Sequence, residues 1–298
     1  MRVYQVICLS RHGIGPEVMA EASRALAAVS RVHGFSVDES YVPYGADALT
    51  RFGRPFPLSS RQALLGADAA LVASRSDAAL EADLDLRASI VRVRFDDQAE
   101  LSLLAPLNDD QWEWTLERAF RLSRDSRGRI ALVGVDERWA FHAATVEQRH
   151  EGLDVARLEP AAAMRGLVLA PESFDVVVCP PELARAAAEL AASFARDRTT
   201  AWGRLSPTPP SIFGAAHGAA DVLAGHGVAD PSSMLLAAAL MLGEGLGERS
   251  AAATLAGALS LAGRNGRPPS TRDRADLVLA QVPVAAANAE FHRQAACV

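Results

Sequence analysis

Short apolar segments alternate with helical segments along the first 73 residues, and this alternation restricts the fold more than any other feature. The β-rich run from Val3 to Leu9 predicts a buried strand, and apolar residues then recur at helical spacing from Val18 to Val32. Further strands are predicted at Phe35 to Tyr41 and Ala69 to Ala73, with short helices at Ala46 to Phe52 and Ser59 to Leu65. Such alternation predicts an α/β fold with a largely parallel sheet.

The pattern is less regular from residue 80 onward, and no internal repeat interrupts it. Helices are predicted at Trp112 to Arg124, Trp139 to Gln148, Leu183 to Ala195, Ser232 to Leu242 and Ser250 to Ala262. Strands are predicted at Ile130 to Val135 and Phe174 to Cys179. The Pro-rich stretch from Thr199 to Pro210 predicts a connection, and Gly263 to Ser270 predicts a loop.

The chain contains no lysine, and all 30 of its Lys and Arg positions are arginine. Chemistry that requires a lysine amine, such as a Schiff base or a general base, is therefore excluded. Half of the 298 residues are hydrophobic, which predicts one large or two modest globular domains. The net charge of −6 gives no reason to expect nucleic acid, and the three cysteines are too far apart to predict a disulfide framework.

Neither the N-terminal run nor the most apolar stretch predicts export or membrane insertion. Met1 to Ser10 lacks a basic start and a cleavage site. Met234 to Met241 is far shorter than the ~20 residues that span a bilayer. We therefore expect a soluble, cytoplasmic protein without membrane partners.

Three motifs occur in an order that matches a known family. They are His12-Gly-Ile-Gly-Pro-Glu17, the run from Gly45 to Leu58 that continues to Ala73, and the run from His217 to Pro231 with the apolar helix after it. Together they resemble G-D-G-I-G-P-E, G-x-A-x-x-x-x-G-x-P-L-P…A-D-A-V-L-L-G and H-G-S-A-P-D-I-A-G-K-G-I-A-N-P. These are motifs of the isocitrate/isopropylmalate dehydrogenase family of metal-dependent β-decarboxylating dehydrogenases.

The resemblance implies the isopropylmalate dehydrogenase-like fold, in which two α/β domains surround a cleft. The terminal domain, with the cofactor-type loop and a largely parallel sheet, would cover 1–95 and 206–298. A smaller, dimer-forming domain would cover 96–205. The family oxidises a 2-hydroxy acid by hydride transfer to NAD(P) and then removes a carboxylate, using arginines, a divalent metal and a Lys–Tyr pair.

Several family residues are replaced in this sequence. The place of the catalytic lysine resembles Asp136-Glu137, and the tyrosine would fall near Trp112 or Trp114. Asp136 and Glu137 are therefore either a general-base carboxylate pair or paired surface acids. The metal aspartates resemble Ala184-Arg185 and Ala188 or Glu189, so we expect neither Mg²⁺ nor Mn²⁺, and no metal ligands are assigned.

The substrate and cofactor residues are partly represented. The first substrate arginine resembles Glu81, and the second resembles Arg92 or Arg94. With Arg87 these arginines form either an anion site or a solvated basic edge. The candidate cofactor residues are Ile14, His217, Gly218, Asp221 and Asp230, where Asp221 could replace the ribose-binding aspartate that falls at Val222.

These replacements predict a divergent, catalytically impaired homologue that acts as a homodimer or as the regulatory partner of an intact homologue. One alternative is an active NAD(P)-dependent oxidoreductase or decarboxylase that acts on a 2-hydroxy acid by altered chemistry. The other is a module that binds a nucleotide or a small anion. NAD is the candidate cofactor in either case.

Overall fold

The computed structural model describes residues 1–10, 13–74, 78–95, 99–194, 199–262 and 270–283. The chain divides into two compact units, of which the first comprises Met1–Ala82 with Pro209–Val298 and the second Asp83–Thr208. Residues 83–95, which the family resemblance assigns to the terminal domain, belong to the second unit because their strand is paired there on both sides.

The elements follow one another as the alternation predicts. The first unit begins with β1 (Arg2–Leu9), α1 (Gly15–His33), β2 (Phe35–Tyr41), α2 (Ala46–Phe52), α3 (Leu58–Leu65), β3 (Ala69–Val72) and α4 (Ala78–Glu81). The second unit contains β4 (Ala88–Arg94), β5 (Glu100–Pro106), α5 (Trp112–Arg124), β6 (Arg129–Val133), α6 (Ala140–Arg149), β7 (Asp154–Leu158), α7 (Pro160–Leu169), β8 (Val176–Val178), α8 (Pro181–Phe194) and β9 (Thr199–Leu205). The first unit is completed by β10 (Ser211–Ala215), α9 (Ser232–Leu240), a π-helical turn (Met241–Gly245), α10 (Arg249–Ala262) and α11 (Thr271–Leu279).

The strands of the first unit run in the order β2-β1-β3-β10, and all three pairings are parallel. Ala69 is the register partner of both Val6 on β1 and Ser211 on β10. The strand β3 therefore lies between a strand that precedes the second unit in the sequence and a strand that follows it. The predicted largely parallel sheet of this unit is confirmed. Because carboxyl ends of parallel strands share one edge, the loop that follows β10 starts at the same edge as the turn after β1.

The strands of the second unit run in the order β9-β4-β5-β8-β6-β7. β4 pairs antiparallel with both β9 and β5, whereas β5, β8, β6 and β7 are mutually parallel. One apolar core of this unit includes Leu103, Val133 and Val177 from the sheet, with Leu167 from α7 and Ala187 from α8.

The predicted connection from Thr199 to Pro210 is wrong, because Thr199–Leu205 forms β9 beside β4. Of the predicted loop from Gly263 to Ser270, only Ser270 is among the described residues. His12 also lies outside the described residues. None of the helices in the described part of the chain combines the length and the apolar character that a bilayer crossing requires.

Candidate functional site

Asp136 lies in the turn between β6 and α6, at the carboxyl end of the second unit's parallel strands. Its Oδ1 accepts a hydrogen bond from the Arg138 amide at 3.0 Å, and its Oδ2 accepts one from Arg138 Nε at 2.8 Å. These bonds to Arg138 hold the pKa of the Asp136 carboxyl below its usual value. The carboxylate therefore stays ionised and is a poor acceptor of protons at neutral pH.

Three carboxylates lie near Arg138, each in the segment that follows one of the neighbouring strands β5, β6 and β8. Its guanidinium lies 2.8 Å from Asp136 Oδ2, 3.6 Å from Glu182 Oε1 and 4.0 Å from Asp109 Oδ1. Arg138 is not among the site residues predicted from the sequence. An aspartate at a helix start that is followed two positions later by an arginine could have indicated this contact. The adjacent Glu137 is exposed.

The fit of these residues to the family's divalent metal is poor. Mg²⁺ requires several oxygen ligands in a near-octahedral arrangement, but here a guanidinium already lies among the three carboxylates. Within the ranges that the structure describes, no group of three or more His, Cys, Asp or Glu side chains is placed to hold a metal ion.

The position that resembles the family's tyrosine is part of the core. Trp112 opens α5 and stacks on Trp139 with ring centroids 4.2 Å apart and planes 5° from parallel. Both indoles are buried, at 1% and 0% exposure. This pair packs the start of α5 against the start of α6, and indole provides no acidic O–H group.

The three candidate substrate arginines are divided between the two ends of β4. Arg87 precedes the strand and forms two contacts with the Asp85 carboxylate, at 3.2 and 3.1 Å, which raise the pKa of the guanidinium. Arg92 donates to Ser102 Oγ at 3.2 Å and lies 3.7 Å from Glu100 Oε2. Arg92 and Arg94 share one face of β4, since side chains two positions apart on a strand do so.

The structure does not bring Arg92 and Arg94 together with Asp136. β5 and β8 lie between β4 and β6, which separates these strands by roughly 14 Å. The antiparallel direction of β4 also places Arg94 opposite Glu100, at the start of β5, whereas Asp136 follows the far end of β6. β4 is paired on both sides, so Arg92 and Arg94 lie on an interior strand of the sheet, whereas Arg87 precedes that strand.

The cofactor-type loop of the first unit, residues 216–231, is fixed against the start of α1. Ile14 is buried, and its amide donates to the Ala219 carbonyl at 2.9 Å. The Gly225 amide donates to the Glu17 carboxylate. Gly13 has a φ of +75°, and a Cβ there would lie 2.1 Å from the Ala219 carbonyl oxygen, so the close approach of the two segments requires glycine.

The same loop is fixed against α11 by contacts on its other side. The Thr271 amide and hydroxyl donate to the carbonyls of Gly227 and Ala229, each at 2.7 Å. Asp230 Oδ2 lies 3.3 Å from Arg274 Nη1, and its Oδ1 accepts a hydrogen bond from the Ser232 amide at 3.0 Å. Asp230 thus contributes to the start of α9 and to the contact with α11.

His217 has one ring nitrogen engaged and one without a partner. Its Nδ1 lies 2.9 Å from the Gly218 carbonyl oxygen, and because a carbonyl only accepts, Nδ1 carries the proton. Nε2 is buried and has no hydrogen-bond partner within the described residues. Asp221, in contrast, is exposed at the start of a 3-10 turn.

Comparisons with known proteins agree on one family. A family model described as isocitrate/isopropylmalate dehydrogenase matches residues 146–276. The 3-isopropylmalate dehydrogenase of Prochlorococcus marinus is 25% identical over 87% of this chain and 90% of its own length. That of Salinibacter ruber is 28% identical over 84% of this chain and 85% of its own length.

Solved structures show the same fold. The isocitrate dehydrogenase of Methylococcus capsulatus superimposes with a TM-score of 0.78 at 18% identity, covering 94% of this chain and 99% of that one. A β-decarboxylating dehydrogenase from Thermococcus kodakarensis gives 0.77 at 20% identity, covering 94% and 96%.

Proposed function

We propose that the chain is a divergent member of the isocitrate/isopropylmalate dehydrogenase family that has lost the family's usual catalysis. It would act as a catalytically impaired homologue or as the regulatory partner of an intact one. The pairing of Asp136 with Arg138 carries this proposal, since it occupies the turn where the family resemblance implies a lysine. No lysine is available elsewhere in the chain.

The contacts of the other candidate residues support the same proposal. Arg92, which would hold a substrate carboxylate, is only 12% exposed in its side chain and is paired with Glu100 and Ser102. Arg138 lies where a divalent metal would need free carboxylates. We therefore propose no chemical step that passes through a metal ion.

An activity assay of the purified chain tests the proposal. The chain is mixed with 3-isopropylmalate or isocitrate, NAD⁺ or NADP⁺, and Mn²⁺, and formation of the reduced nicotinamide is followed by absorbance. We expect no turnover above that of the Asp136→Asn variant. Turnover at the rate of an ordinary family member, lost in that variant, would overturn the proposal.

A second experiment tests the regulatory role. The chain is added to an intact isopropylmalate or isocitrate dehydrogenase from the same source, and the KM and kcat of that enzyme are measured. A stable heteromer with altered kinetics, detected by light scattering after size exclusion, is the expected result. A homodimer that leaves the intact enzyme unchanged would favour an independent role for this chain.

His217 favours nucleotide binding as a second candidate function. With its Nδ1 engaged by the Gly218 carbonyl, the ring presents Nε2 as a buried nitrogen that no described residue satisfies. The loop that carries it is held on both sides, so a ligand would not have to order it.

Calorimetric titration with NAD⁺, and separately with ADP, tests this second function. We expect saturable binding that His217→Ala weakens and that His226→Ala, an exposed histidine of the same loop, does not. Equal affinities for the two histidine variants would exclude His217 as a ligand.

A further inference from the structure

A cavity of about 200 Å³ opens in the second unit at the end of the sheet where β6, β7 and β8 begin. Its apolar wall includes Ala156, Leu158, Phe174 and Val176. Asp136 follows the opposite end of β6, and that end lies roughly 13 Å from Arg129 at about 3.3 Å per strand residue. The end of the cavity at Arg129 and Asp154 is therefore separate from the carboxylates near Arg138.

Two residues of opposite charge line this cavity. Arg129 and Asp154 are the first residues of β6 and β7, are register partners in the sheet, and both line the cavity. Paired strands lie about 4.8 Å apart and direct register partners to the same face. In the part of the chain that the structure describes, neither the guanidinium nor the carboxylate has a hydrogen bond or an ion pair.

A third charged residue lines the cavity but is already satisfied. Asp175 is 3% exposed. Its Oδ1 accepts a hydrogen bond from the Ser126 hydroxyl at 2.6 Å, and its Oδ2 accepts one from the Arg127 amide at 3.0 Å. Among the described lining residues, a ligand therefore meets the cation of Arg129 and the anion of Asp154.

From this arrangement we infer that the cavity binds a free apolar α-amino acid of the leucine class. Its carboxylate pairs with the Arg129 guanidinium, which presents two parallel N–H groups to such a partner. Its ammonium pairs with Asp154, and its branched side chain enters the apolar cavity. An apolar cavity of ~150 Å³ accommodates benzene, so this volume holds a four-carbon side chain, while dinucleotide-sized ligands need larger pockets.

Each part of the amino acid is required by one feature of the site. An apolar carboxylate without an ammonium leaves Asp154 beside a second negative charge, and an apolar amine leaves Arg129 beside a second positive charge. Glycine satisfies both charges but buries no side chain. Leucine therefore makes one favourable interaction that the apolar carboxylate lacks, one that the apolar amine lacks and one that glycine lacks.

Calorimetric titration of the full chain with L-leucine, 4-methylpentanoate, 3-methylbutylamine and glycine tests the inference, with thermal midpoints measured in parallel. We expect saturable leucine binding and at least tenfold weaker binding of each analogue. Two results would overturn it: leucine gives neither heat nor a midpoint shift, or 4-methylpentanoate binds as tightly as leucine.

Variants on the two faces of β7 separate a binding role from a structural one. We expect Asp154→Asn and Arg129→Gln each to weaken leucine at least tenfold, and Ala156→Leu to abolish binding by filling the cavity from an exposed position. The control is Arg157→Gln, because Arg157 pairs with Glu147 on the side of α6. An equal loss in Arg157→Gln, or unchanged binding in Ala156→Leu, contradicts the inference, and circular dichroism verifies the fold of each variant.

Discussion

Arg92 and Glu100 lie on neighbouring antiparallel strands, with Arg92 Nε 3.7 Å from Glu100 Oε2 and 3.2 Å from the Ser102 hydroxyl. The arginine side chain is 12% exposed and the glutamate 28%. In this partly buried ion pair, the charge of Glu100 balances the charge of Arg92. An incoming carboxylate would therefore have to displace Glu100. The candidate substrate arginine is thus part of the pairing of β4 with β5.

Removing the glutamate charge is expected to release Arg92 for anions. Glu100→Gln leaves the guanidinium with a neutral neighbour, and we expect a severalfold gain in affinity for a malate-type dianion. Calorimetric titration of both proteins with 3-isopropylmalate measures this gain. Glu151→Gln, an exposed carboxylate elsewhere in the unit, serves as the control. A gain of the same size in the control would show that only net charge matters.

Glu117 is expected to make the free energy of unfolding depend on pH, from the ordinary pKa of a glutamate down through the lowered pKa of the folded state. Burial alone would raise its pKa, but hydrogen bonds from His150 and Arg149 outweigh burial and lower it. A lowered pKa stabilises the folded state above the unfolded value and loses that effect as pH falls through the folded value. We expect Glu117→Gln to cost about 1–2 kcal/mol at neutral pH.

The free energy of unfolding, measured in urea between about pH 5.5 and pH 3, reports this effect, since an unperturbed glutamate has a pKa of about 4.3. The difference between the wild type and Glu117→Gln should shrink as the pH falls. Glu113→Gln is the matched control, because Glu113 shares Arg149 but is more exposed. A difference that stays constant with pH would show that packing, and not charge, is lost.

The two described cysteines are expected to be unreactive in the native state. Burial is the largest cause that raises the pKa of the Cys179 thiol to about 12, and burial also raises the pKa of Cys8, which the Glu39 carboxylate increases further. Thiolate is the reactive form, so neither thiol should react at neutral pH. A disulfide reagent applied to a Cys297→Ser variant should detect two thiols in denaturant and none in native buffer.

Two glycines in helical segments are expected to respond oppositely to alanine. A Cβ on Gly245, in the π-helical turn, would lie 2.6 Å from the buried Phe213 ring, and overpacking typically costs 1–3 kcal/mol. A Cβ on Gly257, in α10, meets no atom within 4 Å, so Gly257→Ala should stabilise by about 0.5–1 kcal/mol. Thermal midpoints of the two variants should therefore move in opposite directions.

The elements with strong local patterns could be predicted from the sequence. The helix expected at Trp112 to Arg124 has those bounds. β9 was not predictable in this way, because its pairing with β4 depends on residues more than one hundred positions away. Local propensity carries no information about such a partner.

The candidate site was less predictable than the fold for the same reason. Motif positions identified Asp136 and Arg92, but not the arginine that holds Asp136 or the glutamate that holds Arg92. Those contacts depend on a turn geometry and on a strand register. The register of β4 also decides that Arg92 and Asp136 lie at different ends of the sheet.

The pairing of β3 with β10 has a consequence for biosynthesis. The second unit is one continuous segment, Asp83–Thr208, whereas the first needs both Ala69–Val72 and Ser211–Ala215 to form its sheet. Domains form on the ribosome in the order in which their residues emerge. The middle of the chain is therefore free to fold while the N-terminal strands still await their partner. A nascent chain in which Thr208 but not Ser211–Ala215 has emerged from the ribosome should protect the second unit, and not the first, from protease.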